Sequence, residues 1–429
     1  MKEIFCLISL FIPLVNLQAQ QIITDHATAM FDKAVKKQFK EWKGYASYKN
    51  AQERAKILRK IDSLDLSNDT LKRLPEQITK CPNLKHLNLL GNPDMDWKHV
   101  FSIISKTNIN SVYVSIYDLS DIDTTYWHYI TGIQILKTGL DEIPENILRQ
   151  KQLTYLDLSA ECCNENKFYI LPAKLFDLTN LKYLKLKYCQ IEKLPPQIKN
   201  LTNLIQLDLS QNNLATLPTE FGKLTKLTTL NLFDNHLTSL PPEFGNLINL
   251  HKLNLCCNAL IILPREIGNL KNLTQLILCC NQLTTFPTDI SRLTKLAFLD
   301  LRSNKLITLP PQIGKLTNLR LLYLGNNKLT TLPQEIGNLK NLTELDVSSN
   351  NLTTLPTEIG KLKNLRQINL YSNPLRRAQF SHFLKTCTKK VQLTDNEDKA
   401  DNYDPAILRI YVEYIEPEWE HLPNIEVLR

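Results

Sequence analysis

The sequence repeats itself every 23 residues between Leu181 and Asn373. One copy, which begins at Leu204, reads LIQLDLSQNNLATLPTEFGKLTK, and eight other leucines open similar copies: Leu181, Leu227, Leu250, Leu273, Leu296, Leu319, Leu342 and Leu365. A short period of constant length is typical of a solenoid, in which each repeat packs only on its neighbours. The period therefore constrains the fold more than any other feature of the chain.

Each repeat, numbered from its first leucine, carries leucine at positions 1, 4, 6, 11 and 21. The alternation at positions 4 and 6 predicts a short strand with one buried face. Because every connection between repeats is equivalent, we expect neighbouring strands to pair in parallel. Proline at position 15 and glycine at position 19 predict one short helical turn that proline opens and glycine closes.

Asparagine occupies repeat position 9, where the chain must turn out of the strand. We predict a ladder of buried carboxamides that bind the backbone N–H and C=O groups of this turn. Its members are Asn212, Asn235, Asn258, Asn281, Asn304, Asn327, Asn350 and Asn373.

The phrase LxxLxLxxNxLxxLPxxIGxLxx resembles the leucine-rich repeat, and its LPxxIG half is similar to the Ras-group, scribble-like and erbin-like subfamily and to bacterial repeat proteins. The resemblance covers about three quarters of the chain. It implies an α/β fold: a curved horseshoe with a parallel β-sheet on the concave face and short helical or 3-10 turns on the convex face. It implies no single activity, because the family binds many unrelated partners.

Four regions are predicted along the chain. Residues 1–19 are typical of a secretory signal peptide, with an apolar run followed by a small residue; a buried N-terminal helix is the alternative. Residues 20–60 have helical spacing and are expected to form an N-terminal cap. About 14 repeats follow over 61–376, irregular at 84–129 and with an insertion near 160–166. Residues 377–429 are expected to form a C-terminal cap with a helix and an acidic tail.

The net charge of +8 is distributed unevenly. Residues 33–60 carry 10 basic and 2 acidic residues, whereas residues 395–429 carry 3 basic and 10 acidic residues. We interpret both segments as solvated cap surface; the alternative is that the basic end attracts the acidic end or an anionic partner. Nucleic acid is not expected as a partner, because aromatic residues do not interleave with the basic ones along one stripe.

The cysteines leave several interpretations open. Cys81 and Cys189 replace buried repeat residues and are interpreted as core fillers. Cys256-Cys257 and Cys279-Cys280 occupy positions 7 and 8 of consecutive repeats. Free thiols are the favoured interpretation of these four. The alternatives are a disulfide between repeats, whose Cα distance would suit one, and a metal site, which the opposed directions of neighbouring side chains disfavour.

No nucleotide-binding loop, HExxH, GxSxG or CxxC motif occurs in the sequence, so we predict neither a cofactor nor catalysis. The remaining candidate site is the concave face at repeat positions 3, 5 and 7. Most of that face is small and polar. The predicted binding residues are an apolar group and a basic-aromatic group: Phe233, Ile277, Phe298, Arg302, Leu321 and Tyr323, and Tyr183, Lys185 and Lys187.

These features predict an exported, monomeric protein that binds a protein or peptide non-covalently through its concave face. Export means the periplasm, the cell surface or the medium, without a transmembrane segment after removal of the signal. One alternative is a cytoplasmic signalling scaffold that binds a small GTPase, as the Ras-group resemblance implies. A surface adhesin that binds carbohydrate is a second alternative, and an enzyme is the least favoured.

Overall fold

The computed structural model describes residues 25–37, 51–137, 139–161, 166–387, 390–394, 407–412 and 425–428. The predicted signal peptide lies outside these residues, as do Cys162 and Cys163 of the insertion. The described chain divides into two compact units. The first unit extends to Asn166 and includes Asn180–Lys185, and the second unit contains Lys167–Thr179 and the residues from Leu186 onwards.

The first unit contains a parallel sheet with helices before and between its strands. The strands are β1 (Ser63–Asp65), β2 (His86–Leu89), β3 (Ser111–Ile116), β4 (Ile130–Ile135), β5 (Tyr155–Asp157) and β6 (Tyr183–Lys185), and they pair in this order. The helices are α1 (residues 25–37), α2 (Ala51–Leu58), α3 (Trp97–Ile104) and α4 (Glu145–Leu148). Three 3-10 turns cover Glu76–Lys80, Leu119–Asp121 and Thr124–Tyr129.

The second unit repeats one strand and one 3-10 turn. The parallel strands are β7 (Gln206–Asp208), β8 (Thr229–Asn231), β9 (Lys252–Asn254), β10 (Gln275–Ile277), β11 (Phe298–Asp300), β12 (Leu321–Tyr323), β13 (Glu344–Asp346) and β14 (Gln367–Asn369). Their 3-10 turns cover Ala173–Asp177, Pro196–Asn200, Thr219–Lys223, Pro242–Asn246, Arg265–Asn269, Thr288–Arg292, Pro311–Lys315, Gln334–Asn338 and Thr357–Lys361. The predicted parallel sheet and short turns are confirmed.

The C-terminal segment extends the sheet of the second unit. Helix α5 (Arg377–Thr386) is followed by β15 (Lys390–Thr394), β16 (Ile407–Tyr411) and β17 (Ile425–Leu428). Strand β16 pairs with β14, and β15 lies between β16 and β17, all in parallel. The repeat pattern did not predict these three strands, because the leucine spacing ends before them.

The repeated leucines form the core. In the repeat from Leu204, the side chains of Leu204, Leu207, Leu209 and Leu214 are at most 1% exposed. Each buried leucine stabilises the fold by about 1.5–3 kcal/mol relative to an exposed one. Because every repeat contributes the same set, the core continues from one repeat to the next.

The asparagine ladder is confirmed, with six of its eight members buried and Asn258 and Asn373 half-buried. The Asn235 amide donates to the carbonyls of Leu209 and Leu232 at 2.9 and 3.2 Å, and its oxygen accepts from the Leu214 N–H at 3.1 Å. The carboxamide therefore joins its own turn to the backbone of the preceding repeat. In the first unit, buried Asn92 and Asn166 bind backbone groups in a related way.

The glycine at repeat position 19 has a different role from the one predicted. It lies inside the 3-10 turn, as Gly222 does in Thr219–Lys223, and does not end it in a left-handed conformation. A Cβ atom on Gly222 would lie 2.3 Å from the Glu243 carbonyl oxygen of the next turn. Glycine is therefore needed for the close approach of consecutive turns. The left-handed residues fall instead at repeat position 8, as at Gln211 and Asp234.

Helices α1 and α2 precede the first repeat, and we keep residues 20–60 as a proposed N-terminal cap. Phe31 and Val35 of α1 are fully buried. The Lys33 ammonium lies 2.8 Å from the Asp69 carboxylate, and His26 Nε2 lies 2.9 Å from the Asp69 carbonyl oxygen. These contacts support the proposal that α1 covers the end of the core.

Candidate functional site

Repeat positions 3, 5 and 7 lie on the solvent-facing side of the sheet, because positions 4 and 6 point into the core. The polar residues at position 5 have a structural task there. In six repeats of the second unit, an Asp or Asn at position 5 accepts the backbone N–H of position 7, at 2.9–3.2 Å: Asp208, Asn231, Asn254, Asp300, Asp346 and Asn369. Each hydrogen bond stabilises the turn that follows the strand.

Two repeats depart from this arrangement, because position 5 is Ile277 in one and Tyr323 in the other. Isoleucine cannot accept a hydrogen bond. The Tyr323 hydroxyl points away from its own turn and donates to the Glu344 carboxylate at 2.9 Å. Both repeats thus give up a hydrogen bond worth about 1 kcal/mol. Local departures from the rule of a fold are commonly found at functional sites.

The two departures of the second unit fall within one cluster on strands β10–β12. We call this cluster the apolar patch: Ile277, Phe298, Leu321 and Tyr323, with Arg302 at its edge. Phe298 is paired with Leu321 in the sheet, and Asp300 separates Ile277 from Tyr323. The Phe298 and Tyr323 rings meet edge to face, with centroids 5.5 Å apart. All four apolar side chains are half-buried, so the patch is partly open to solvent.

Arg302 lies at the edge of the patch and contacts both Asp300 and Tyr323. Its guanidinium donates to both Asp300 carboxylate oxygens, at 3.0 and 2.7 Å, and lies 4.9 Å from the Tyr323 ring centroid. The hydrogen bonds with Asp300 raise the pKa of Arg302 above its ordinary value. Because Asp300 is buried and pairs with it, Arg302 contributes a flat stacking surface more than a free positive charge.

Burial raises the pKa of Tyr323 to about 12, and the hydrogen bond with Glu344 acts in the same direction. The hydroxyl therefore stays protonated at neutral pH and keeps Glu344 as its acceptor. Tyr323 contacts Phe298, Arg302 and Glu344 together. These contacts fix its ring, so the patch needs little ordering when a partner binds.

Phe233 lies two repeats before the patch and is half-buried at position 7. Cys256 and Cys279 occupy the same position on the two repeats between Phe233 and Arg302, and they form a disulfide with a Cα separation of 4.6 Å. The favoured interpretation of free thiols is therefore wrong for this pair. Side chains at the same position of neighbouring strands start out in parallel directions. The short spacing of the strands nevertheless brings the two sulfurs within bonding distance. Cys257 and Cys280 are free.

The predicted basic-aromatic group is engaged in local contacts. In the first unit, the Tyr183 and Tyr155 rings lie 6.2 Å apart, and the Lys185 ammonium is 3.4 Å from the Asp157 carboxylate and 5.4 Å from the Tyr155 ring centroid. In the second unit, the Lys187 ammonium lies 4.8 Å from the Tyr188 ring centroid. These lysines are partly neutralised or covered, so they offer less free positive charge to a partner.

The first unit contains a tyrosine row that the repeat pattern did not reveal. The Tyr113 ring lies over Gly132, where a Cβ atom would be 2.5 Å from the ring. The ring centroids of Tyr113 and Tyr155 are 5.6 Å apart. The Tyr113 hydroxyl lies 2.9 Å from the Thr154 hydroxyl. Tyr155 in turn contacts Tyr183. The missing side chain of Gly132, which breaks the strand pattern, was the available sequence signal.

A cavity of about 290 Å³ adjoins this row on the solvent-facing side of β1–β3. Residues at repeat positions 3 and 5 line it: Ser63, Asp65, His86, Asn88, Ser111 and Tyr113. Asp65 and Asn88 are joined by a 3.0 Å hydrogen bond. The cavity thus combines an aromatic wall with a carboxylate and an amide.

Comparison with known proteins identifies the class. Residues 150–281 and 310–381 match the family model of a leucine-rich repeat region. A leucine-rich repeat protein of Leptospira interrogans is 32% identical, with a TM-score of 0.55, and the match covers 79% of this chain and 98% of that protein. The chain belongs to the leucine-rich repeat family. A search of curated protein sequences gives no significant match.

Two plant receptors are similar in structure. The ectodomain of the Arabidopsis thaliana receptor kinase GASSHO1/SCHENGEN3, in complex with Casparian strip integrity factor 2, is 28% identical with a TM-score of 0.53; the match covers 79% of this chain and 37% of that one. The peptide hormone receptor RGFR1, in complex with RGF2, is 25% identical with a TM-score of 0.57 and coverages of 78% and 59%. The chain spans less than two thirds of each receptor.

The leucine-rich repeat fold typically serves protein interaction and not catalysis. Within the part of the chain that the structure describes, no helix has the length and apolar character needed to cross a membrane.

Proposed function

We propose that the chain recognises a protein or peptide through the apolar patch of the second unit. The observation that carries the proposal is the use of Ile277 and Tyr323 at a position where six other repeats place a turn-stabilising Asp or Asn. A residue that weakens its own turn and exposes apolar surface is better explained by binding than by folding.

The chemistry of the patch suggests the kind of ligand. Phe298, Leu321 and Ile277 offer partly exposed apolar surface, and Tyr323 and Arg302 offer flat stacking surfaces. Such residues are the usual anchors of protein interfaces. Because Asp300 neutralises Arg302, the patch suits an aromatic or aliphatic segment more than an acidic one. The complexes of the two plant receptors with their ligands also support this proposal.

Selection from a library of displayed random peptides against the full chain tests the proposal. We expect the selected peptides to be rich in aromatic and aliphatic residues and to compete with one another for one site. Selection of only strongly charged peptides without apolar residues would contradict it.

We also propose that the chain is exported. The sequence of residues 1–19 supports export, and so does the disulfide between Cys256 and Cys279, because disulfides persist mainly in oxidising compartments. Both observations count against the cytoplasmic scaffold. The mass of the mature protein, from which residues 1–19 would be missing, tests this location.

A second candidate function, carbohydrate recognition by the first unit, is favoured by the tyrosine row and the adjoining cavity. Aromatic rings stack on the apolar face of a sugar, and carboxylate and amide groups bind its hydroxyls. Tyr113 supplies the ring at the cavity wall, and Asp65 and Asn88 supply the polar groups. This candidate is independent of the apolar patch.

Binding of the full chain to an array of glycans tests the second candidate. We expect Tyr113→Ala to abolish any glycan signal, because the cavity loses its aromatic wall, whereas Phe298→Asp should leave the signal unchanged. Equal signals from wild type and Tyr113→Ala, or no signal from either, would remove carbohydrate as a ligand of this cavity.

A further inference from the structure

We propose that the four cysteines of two consecutive repeats, once reduced, form a binding site for a thiophilic metal ion of the Zn²⁺ class, and that the disulfide between Cys256 and Cys279 is the form that cannot bind it. The Cys256 and Cys257 sulfurs lie 3.6 Å apart. The sulfurs of Cys256, Cys257 and Cys280 all lie within 4.8 Å of one another, and Cys279 is bonded to the first of them.

The local backbone explains why neighbouring cysteines point to one place. In an extended strand, side chains at consecutive positions point to opposite faces. Strands β9 and β10 end at Asn254 and Ile277, before the cysteines. Cys257 and Cys280 then adopt left-handed conformations, with φ of 55° and 52°. This change of direction brings the sulfurs at position 8 to the same side as the sulfurs at position 7. The prediction that neighbouring cysteine side chains point in opposed directions is therefore wrong here.

The spacing suits thiolate coordination. Two sulfurs bound to one tetrahedral zinc at about 2.3 Å lie about 3.8 Å apart. The 3.6 Å between the Cys256 and Cys257 sulfurs is close to that value, and the Cys280 sulfur lies within 4.8 Å of both. The Cys256 and Cys279 sulfurs must move apart once their bond is reduced. Cys280 is exposed and Cys257 is half-buried, so an ion can reach the cluster from solvent.

Charge around the cluster also favours a cation. Asp234 on the preceding repeat interacts electrostatically with Cys257, and its negative charge would stabilise a cation bound there.

Reduction must precede binding. A dithiol or phosphine reductant supplies two electrons, two protons complete the reaction, and the Cys256–Cys279 bond becomes two thiols. Zn²⁺ then binds to the cysteine sulfurs, and each ligating thiol releases one proton. A second disulfide, acting as a two-electron oxidant and leaving as a dithiol, would re-form the Cys256–Cys279 bond and release the ion.

Zinc titration of the full chain, in competition with a chromophoric chelator, tests the proposal. We expect the phosphine-reduced protein to bind one Zn²⁺ at least about 100-fold more tightly than the disulfide form. Cys257→Ser and Cys280→Ser should each weaken binding by a similar factor. Cys387→Ser serves as the matched control, because Cys387 is a free cysteine at the C-terminal end of α5. We expect this substitution to leave zinc binding unchanged.

Alkylation of the thiols, read by mass spectrometry, provides a second measurement that does not depend on the stability of the variants. Zn²⁺ should protect Cys257 and Cys280 of the reduced wild-type chain from alkylation, while Cys387 stays equally reactive. Tight binding by a Cys257→Ser, Cys280→Ser double variant, or equal binding by reduced and disulfide forms, would overturn the proposal.

Discussion

Phe298→Asp is expected to weaken binding of a selected peptide by about 30-fold or more. Phe298 lies at the centre of the apolar patch, paired with Leu321 in the sheet and in edge-to-face contact with Tyr323. Truncation of a central aromatic anchor typically costs about 2 kcal/mol or more, which corresponds to that factor. The introduced carboxylate would also be desolvated by any apolar ligand. The dissociation constant, measured by titration calorimetry, checks the prediction.

Gln206→Asp is the matched control, because Gln206 occupies the same repeat position on β7 and is exposed. The same charge is thereby placed on the same side of the sheet, three repeats outside the patch. We expect this variant to bind like the wild type. Phe298 is preferred to Tyr323 for the test, since Tyr323 also contacts Arg302 and Glu344 and its loss would disturb the fold. A comparable loss of affinity in both variants would show that the effect is not specific to the patch.

Asn235→Ala is expected to lower the free energy of unfolding by about 3 kcal/mol. The substitution leaves the carbonyls of Leu209 and Leu232 and the N–H of Leu214 without the carboxamide that binds them. Asn235 is only 4% exposed, so water cannot replace it easily. Each buried group left unsatisfied costs about 1–3 kcal/mol. Urea unfolding followed by circular dichroism measures the effect.

The control for this prediction is Asn249→Ala. Asn249 also donates to a backbone carbonyl of the preceding repeat, that of Thr225 at 2.9 Å, but at an exposed position. Water can replace this hydrogen bond, so we expect a loss of less than about 1 kcal/mol. Similar losses in the two variants would mean that burial of the ladder does not stabilise the repeats.

The sequence pattern predicts the fold well because each feature of the repeat is local. Leucine spacing sets the strand and its buried face, and proline at position 15 sets the start of the 3-10 turn. Asparagine at position 9 is predicted by the need to bind backbone groups at a tight turn. The predicted role of Gly222 is wrong, because glycine is required there by a contact with the next repeat, the close approach of Glu243.

Features that depend on contacts between repeats were harder to predict. The bond between Cys256 and Cys279 depends on small rotations of side chains that a spacing argument does not include. The acceptor role of Asp208 and its equivalents becomes visible only with the turn geometry. Ile277 and Tyr323 of the apolar patch are the two residues of the second unit that replace this acceptor, and this fact cannot be recognised before the acceptor role is known.

Residues that fold the chain are distinct from residues that are free to bind, and Ile277 replaces a residue of the first kind with one of the second. Ile277→Asn restores the acceptor for the backbone N–H of Cys279. The added hydrogen bond and the lost apolar contact are each worth about 1 kcal/mol, so we expect the free energy of unfolding to stay within about 1 kcal/mol of the wild type.

The most direct test of the central claim is therefore the affinity of Ile277→Asn for a selected peptide, measured together with its unfolding free energy. We predict affinity at least about 10-fold lower, with a free energy of unfolding within about 1 kcal/mol of the wild type. Unchanged affinity would contradict the claim that the apolar patch is the binding site.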